Sequence, residues 1–260
     1  MPPMSLHSPY RARERILLIG APGSGKSTAH LNIARFHQST RSLAVFRIMD
    51  TDAAINRMLD SGYSSLTNVE VYPTYDWSDY LNNTKKILSI SKPDDFIVVD
   101  MISSAWEAVQ EYFTNEIFQK GIGDYFLEAR KSVTSKDKNL QAFDGWRDWV
   151  VINGLYRDWI NPLIFRSRSH VIGVAKADSI HQDKERDKQT RMTFGPYGVK
   201  PVGQKHLGFQ FHTLLILMES TPNDYTITTV KDRERPKLIG ESYNSFANTY
   251  LIKIAGWTLK

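Results

Sequence analysis

The sequence predicts an α/β fold with a mainly parallel sheet, helices on both faces and a C-terminal antiparallel hairpin. Apolar runs alternate with segments of helical spacing through the first 176 residues, which indicates strands joined by crossover helices. The apolar runs are continuous rather than alternating, as is typical of strands buried on both faces. At 260 residues, 41% of them hydrophobic, the chain is long enough to bury a large core.

Five short apolar runs are the predicted buried strands. They span residues 16–19, 43–49, 96–99, 171–175 and 214–218. Between them, apolar residues recur three and four positions apart, which is the spacing of a helix with one buried face. The predicted helices span residues 27–37, 53–59, 77–90, 102–118 and 146–165. In the last helix, we expect Trp146, Trp149 and Trp159 to pack in the core because much of their area lies on one face.

The last third of the chain predicts an antiparallel hairpin that closes one edge of the sheet. Strand-like runs at 212–220 and 225–231 flank the segment Thr221-Pro222-Asn223-Asp224. Proline, asparagine and aspartate are the residues that turns favour, so this segment is predicted to reverse the chain.

The domain organisation follows from the absence of any evident linker. We expect residues 15–260 to form a single domain that includes two long loops, 121–145 and 177–205. Residues 1–14 contain three prolines and few apolar residues, so they are expected to form a disordered N-terminal tail.

The composition excludes several classes of protein. The chain has no cysteine, which excludes a disulfide framework, a thiol nucleophile and cysteine-based metal centres. Its longest apolar runs fall far short of the roughly 20 residues that a membrane-spanning helix needs, so we expect a cytoplasmic protein without a membrane partner. The net charge of +5 arises from residues 1–15 and 176–205, because the charges of the other segments cancel. A negatively charged partner is therefore expected to bind at these two segments and not over the whole surface of the protein.

One glycine-rich segment matches the P-loop pattern G-x-x-x-x-G-K-[ST] completely. It comprises Gly20, Ala21, Pro22, Gly23, Ser24, Gly25, Lys26 and Ser27, and Thr28 follows it. A predicted strand precedes this segment and a predicted helix follows it, which is the arrangement that phosphate binding by backbone N–H groups requires. Lys26 is expected to reach the β- and γ-phosphates of ATP, and the Ser27 hydroxyl to ligate Mg²⁺.

Acidic residues follow two further strands, at the edge where an open α/β sheet binds its ligands. Asp100 follows the apolar residues 96–99 and is expected to hold the metal through its water shell, although a strand-ending turn also explains it. For orienting an attacking water, Asp52 is the first candidate and Asp50 the second. Capping of the helix that begins at Ala53 explains an Asp at this place equally well.

These motifs together resemble RecA-like P-loop ATPases, and especially the small phage RecA-like ATPases linked to single-strand annealing and recombination. The resemblance covers most of residues 15–235. In that family the strand after the P-loop helix ends in an acidic catalytic residue, usually Glu, and Asp52 stands at this position. Residues 94–103 resemble the Walker B strand. Lys176 stands where the next strand usually ends in Gln or His as a γ-phosphate sensor; a solvated Lys is the alternative.

The resemblance also implies contact with DNA. In this family a mobile DNA-contacting loop follows that strand, and residues 177–205 resemble it in position and length. The predicted nucleic-acid-binding residues are Lys184, Arg186, Lys188, Arg191, Lys200 and Lys205. Such cations bind phosphates, and Phe194 and Tyr197 can stack on the bases of a single strand. The alternative is a solvated loop, since acidic residues interleave with the basic ones.

A second subunit is implied by Lys231 and Arg233, which resemble the K-x-R element of related RecA-fold ATPases. In that element, a Lys and an Arg enter the nucleotide site of a neighbouring subunit. The spacing of Lys231 and Arg233 places both on one face of a strand, as this role requires. The alternative is a charged exit from the hairpin. The resemblance thus implies a homo-oligomer, either a ring or a filament.

As a whole, the resemblance implies a Mg²⁺-dependent ATPase coupled to single-stranded DNA binding in recombination, annealing or replication. Two alternatives remain open. A nucleotide or polynucleotide kinase shares the P-loop and would use Arg186 or Arg191 in a lid over the phosphates. A non-catalytic, ATP-dependent assembly factor would bind the nucleotide with negligible turnover, and Asp in place of the usual Glu agrees with it.

Overall fold

Nine strands and eight α-helices occupy the described part of the chain, which comprises residues 13–40, 43–135, 143, 145–180, 187–221 and 224–244 of the computed structural model. The strands are β1 (Arg15–Gly20), β2 (Phe46–Asp50), β3 (Val69–Pro73), β4 (Phe96–Asp100), β5 (His170–Ser179), β6 (Val199–Pro201), β7 (Thr213–Thr221), β8 (Asp224–Asp232) and β9 (Ser242–Tyr243). The helices are α1 (Lys26–Ser39), α2 (Ala54–Leu59), α3 (Trp77–Ile90), α4 (Ile102–Phe118), α5 (Ile122–Ser135), α6 (Arg147–Asn161), α7 (Lys188–Phe194) and α8 (Leu207–Gln210).

One sheet joins the strands in the order β3-β2-β4-β5-β1-β7-β8-β9, and β6 pairs with β5 off this path. The pairs from β3 through β7 are parallel, whereas β8 and β9 add to the edge in antiparallel orientation. The predicted fold class, including the hairpin, is therefore confirmed. Because β1, β2, β4 and β5 are parallel, their carboxyl ends share one edge, where Gly20 pairs with Lys176 and Asp50 with Asp100.

The core consists of two apolar layers, one on each face of the sheet. Helices α1 and α2 cover one face, where their buried apolar residues pack on alternate residues of β1, β2, β4 and β5. Helices α3, α4 and α6 cover the other face. The five central strands are buried on both faces, which explains why their sequences are continuous apolar runs.

The three tryptophans in this region do not share one environment, and the prediction of core packing is wrong for Trp146 and Trp149. Trp159 is buried, and its indole Nε1 donates a 2.8 Å hydrogen bond to Thr84 Oγ1. Trp149 is partly exposed and stacks on Trp106 with the ring centroids 5.9 Å apart. Trp146 is 80% exposed because it immediately precedes the helix and is not part of its buried face.

Both predicted loops contain regular structure, which corrects the prediction of long loops. The 121–145 segment contains α5, whereas in the 177–205 segment β5 continues to Ser179 and is followed by α7 and β6. The Asp187 carboxylate caps α7 by accepting a 2.8 Å hydrogen bond from the Thr190 N–H. Antiparallel pairing of Ala177 with Pro201 joins β6 to the extended end of β5. Helix α7 and strand β6 are short and mostly polar, so they lack the apolar runs that identified the central strands.

The sequence also missed β3, whose residues are partly buried or exposed at the edge of the sheet and form no continuous apolar run. At the N-terminus, Arg13 makes a 2.8 Å ion pair with Asp94 and Glu14 pairs with Arg235. Residues 1–12 lie outside the described residues, so the tail and the single domain stay predictions. No helix in the described ranges is both long and apolar enough to span a membrane.

Candidate nucleotide-binding site

The P-loop segment connects β1 to α1, and glycine is required at three of its positions. Gly23 and Gly25 have φ values of 78° and 79°, in the left-handed region that favours glycine. At Gly20, a Cβ atom would lie 2.2 Å from Ser24 Oγ and 2.8 Å from the carbonyl oxygen of Leu217. The loop therefore turns tightly at the carboxyl end of β1 and leads directly into the N-terminus of a 14-residue helix.

Lys26, the first residue of α1, extends back across this loop. Its buried side chain donates a 2.6 Å hydrogen bond from Nζ to the carbonyl oxygen of Ala21. Burial lowers the pKa of Lys26, and the nearby Asp100 carboxylate acts in the opposite direction. An ammonium group beside the free N–H groups of a helix N-terminus creates a positive potential that attracts a phosphate.

Ser27 and Asp100 meet at the base of the loop, although they are 73 residues apart in sequence. The Ser27 hydroxyl donates a 2.7 Å hydrogen bond to Asp100 Oδ2. A hydroxyl and a carboxylate are oxygen ligands of the type that Mg²⁺ prefers, and Mg²⁺ usually takes its remaining ligands from water and substrate phosphates. No group of three or more acidic or histidine residues within the described ranges forms a metal site of its own. The donor set therefore fits a metal that is held jointly with a nucleotide.

His30 joins this pair and was missed by the sequence analysis. It lies one helical turn after Ser27, is completely buried, and places Nε2 3.0 Å from the same Oδ2 atom of Asp100. The only signal in the sequence was its i, i+3 spacing from Ser27, which puts both side chains on one face of α1. Their convergence on Asp100 depends on how α1 packs against the end of β4.

Asp50 and Asp52 occupy different environments at the end of β2. Asp50 is buried and accepts hydrogen bonds from the N–H groups of Asp52 (3.4 Å) and Ile55 (3.2 Å). Burial raises the pKa of Asp50 to about 6 despite these hydrogen bonds. Asp52 is exposed and accepts a 3.1 Å hydrogen bond from the N–H of Ala54, the first residue of α2. The carboxylate of Asp52 thus accepts the first N–H of α2, although Ala53 is the residue at the N-cap position.

Comparison with known proteins shows which fold the chain resembles. No family model matches the sequence, and no curated protein has detectable sequence similarity to it. Among solved structures, the RadB recombinase is similar, with a TM-score of 0.50 and 11% sequence identity over 90% of this chain and 88% of the RadB chain. The fold is RecA-like. At this identity the similarity shows the fold alone, and the narrower resemblance to phage ATPases stays a prediction.

Lys176 lies at the edge of the RecA-like sheet that carries the P-loop, as its register with Gly20 requires. Its Nζ atom lies 3.3 Å from Glu107 Oε1 of α4, and both side chains are partly exposed. The backbone N–H of Lys176 donates a 3.0 Å hydrogen bond to Ser103 Oγ, which ties β5 to the start of α4. The side chain is therefore paired with a carboxylate in this structure.

Lys231 and Arg233 lie toward the opposite edge of the sheet from the P-loop. Lys231 pairs with Leu214, whereas Gly20 pairs with Leu217, three residues further along β7. The Lys231 ammonium donates to the carbonyl oxygens of Gly208 (2.9 Å) and Phe211 (2.6 Å). Arg233 is exposed and donates a 3.4 Å hydrogen bond to the carbonyl oxygen of Phe209. Burial, together with the charge of Arg233, lowers the pKa of Lys231 to about 8.

The predicted nucleic-acid-binding residues partly surround a cavity of about 910 Å³. Lys200 and Lys205 line it together with Lys231 and Arg233. The side chains of Lys188 and Arg191 are exposed on α7, and Lys205 pairs with Asp187 at 3.3 Å. Lys184 and Arg186 lie outside the described residues.

The aromatic residues of this region differ from the expectation. Phe194 is only 8% exposed and packs in the core, so it is not available for base stacking. Tyr197 is half-buried in the cavity wall. Phe209, which the sequence analysis did not select, is 58% exposed and lines the same cavity. An exposed aromatic ring is thus present beside the basic residues, but at a different position.

Proposed function

We propose that this protein is a Mg²⁺-dependent ATPase of RecA-like type that couples ATP hydrolysis to binding of single-stranded DNA in recombination, annealing or replication. The observation that supports it most is the 2.7 Å hydrogen bond from Ser27 to Asp100, which joins the P-loop to the carboxylate at the end of β4, a strand separated from β1 by β5. A glycine-rich turn without a catalytic role would not require this pairing. P-loop ATPases use these two groups together, one on the metal and one on its water shell.

The nucleotide phosphates would be bound by the residues from Gly20 to Thr28. Backbone N–H groups of the loop and of the helix N-terminus would contact the phosphate oxygens. Lys26 would exchange its hydrogen bond with Ala21 for contacts with the β- and γ-phosphates. The metal would be held by Ser27 and, through water, by Asp100, and it would neutralise charge that develops on the transferred phosphoryl group.

Asp50 is the better-supported candidate for orienting the attacking water. A general base works best with a pKa near the operating pH, and burial raises the pKa of Asp50 to about 6. Asp52, the first choice from the sequence, is exposed. Both carboxylates accept N–H groups at the start of α2, so hydrogen bonding does not separate them, whereas the burial of Asp50 does. We therefore assign the water to Asp50.

Lys231 and Arg233 are proposed to act on the nucleotide of a neighbouring subunit. Three strand residues, or about 10 Å, separate the level of Lys231 from that of Gly20 along β7. Both side chains also contact the 208–211 segment rather than the P-loop of their own subunit. An Arg supplied by a neighbour can raise the rate of phosphoryl transfer by about 10³ to 10⁵. The active form would be a homo-oligomeric ring or filament.

Single-stranded DNA is proposed to bind beside the 187–205 segment. Lys188, Arg191, Lys200 and Lys205 would contact its phosphates, as would Lys184 and Arg186. The name of the structurally similar RadB recombinase supports a role in recombination. Binding of this kind depends mainly on charge, so it should weaken steeply with salt.

The test of this function is the rate of phosphate release from ATP, measured with and without single-stranded DNA over a salt series. We expect Mg²⁺-dependent turnover that single-stranded DNA stimulates, with stimulation decreasing as salt rises. Lys26→Ala should abolish turnover, because it removes the cation from the phosphates. Lys85→Ala, which changes an exposed lysine of α3, is the matched control and should retain it.

Each contrary outcome identifies a different error. Normal turnover in Lys26→Ala would disprove the site, and a lack of stimulation at low salt would disprove the coupling to DNA. Transfer of the phosphate to a nucleotide or to a DNA end, rather than to water, would indicate a kinase. Nucleotide binding without turnover would indicate an assembly factor.

A further inference from the structure

We propose that His30 positions Asp100 for the metal by holding the carboxylate in one orientation at the base of the P-loop. This inference rests on the proposed function, because it assigns a role toward the same Mg²⁺. His30 is not expected to touch the nucleotide or the metal. It acts through Asp100 and is therefore a positioning residue.

The geometry supporting this role is the convergence of two donors on one oxygen atom. Ser27 Oγ lies 2.7 Å from Asp100 Oδ2, and His30 Nε2 lies 3.0 Å from the same atom. Both donors come from α1, so the helix that carries the P-loop also fixes the carboxylate of β4. The proposed role requires the tautomer in which Nε2 carries the ring proton, because a metal-binding carboxylate only accepts hydrogen bonds. Both groups contact Oδ2, so neither of them occupies Oδ1.

Core packing alone does not explain a histidine at this position. The ring is completely buried, and its other nitrogen, Nδ1, has no hydrogen-bond partner among the described residues. A buried polar atom without a partner is unfavourable, and a leucine would fill similar space without one. The hydrogen bond to Asp100 is the contact that a leucine could not make. Residues that orient metal-binding carboxylates in this way commonly change metal affinity when they are substituted.

The experiment is a MgCl₂ titration of the affinity for a non-hydrolysable ATP analogue, measured by calorimetry. In the wild type, Mg²⁺ should strengthen binding of the analogue. In His30→Leu, the half-saturating Mg²⁺ concentration should rise on the order of 10-fold, because Asp100 loses one of its two donors. Affinity without Mg²⁺ should stay unchanged, since His30 does not contact the phosphates. A general defect in folding would instead lower both affinities.

A matched control is available on the same helix. His37 is also buried in α1, where it packs against the rings of Phe46 and Phe96 with centroids 5.7 Å and 5.1 Å away. His37→Leu makes the same chemical change without a hydrogen bond to Asp100. It should leave the Mg²⁺ dependence at the wild-type value, and an equal shift in both variants would overturn the proposal.

Two polar variants decide the question if His30→Leu does not fold. In His30→Gln, the side-chain amide nitrogen can take the place of Nε2 and should restore the wild-type Mg²⁺ dependence. In His30→Asn, the amide nitrogen lies near the Nδ1 position and should not. Equal Mg²⁺ dependence in the wild type, His30→Asn and His30→Gln would refute the positioning role. A wild type whose nucleotide binding is insensitive to Mg²⁺ would refute the proposed function instead.

Discussion

A substitution of Gly25 tests how tightly the C-terminal hairpin packs on the P-loop. Gly25 has a φ of 79°, and an alanine in this left-handed conformation costs roughly 1–2 kcal/mol. The new Cβ would also lie 3.0 Å from Cγ and Cδ1 of Tyr225. Rotation about χ2 does not move Cγ, so relief of this contact requires a change in χ1 of Tyr225 or a shift of the backbone, and such overpacking typically costs about 1–3 kcal/mol. We expect Gly25→Ala to lower the free energy of unfolding by about 2–5 kcal/mol.

Gly23→Ala is the matched control for this prediction. Gly23 has nearly the same φ, 78°, but a Cβ atom added there would have no atom outside its chain neighbours within 4 Å. It should therefore show the backbone cost alone, roughly 1–2 kcal/mol. The assay is urea denaturation of both variants, in the wild-type chain and in Tyr225→Ala. Without the ring, the cost of Gly25→Ala should fall to that of Gly23→Ala. Equal costs of the two substitutions in the wild-type chain would refute the crowding argument.

Two further predictions concern catalysis. Since burial raises the pKa of Asp50 to about 6, its carboxylate takes up a proton at higher pH than an ordinary Asp, and kcat/KM for ATP should fall as pH decreases through about 6. Asp52→Asn should keep this dependence on pH, whereas Asp50→Asn should lose turnover. A value of kcat/KM that does not change between pH 5 and 7 would contradict the assignment of Asp50 to the attacking water. Mixing Arg233→Ala with the wild type should depress ATPase activity below the average of the two proteins, because each defective subunit also impairs its neighbour. Simple averaging would indicate that Arg233 acts within its own subunit.

The central strands could be predicted because their burial produces a continuous run of apolar residues in the sequence. A strand that is covered on both faces must be apolar at successive positions, as Ile16 to Ile19 show. The edge strand β3 and the short elements after β5 carry no such run, since they are stabilised by pairing and capping rather than by burial on both faces. Trp146 shows the same limit: its type favours burial, but its place before the first turn of α6 leaves it in solvent.

The candidate site likewise has one part that the sequence predicts and another that only the structure shows. The phosphate-binding loop is local, because glycines, Lys26 and Ser27 must follow one another in the chain for the backbone to turn, so the sequence by itself determined it. The partners of that loop are distant in sequence. His30 meets Asp100 only through the packing of α1 on β4, and the choice between Asp50 and Asp52 depends on which carboxylate is buried.

The sequence alone therefore determined the parallel α/β fold and the loop that can hold a nucleotide, because both depend on the order of neighbouring residues. Only the tertiary structure decided which side chains surround Asp100, and that Lys231 and Arg233 lie away from the P-loop. Strand order and register determine these relations, since they bring together residues as far apart as Ser27 and Asp100. Hydrogen bonding and burial then fix the orientation of each side chain.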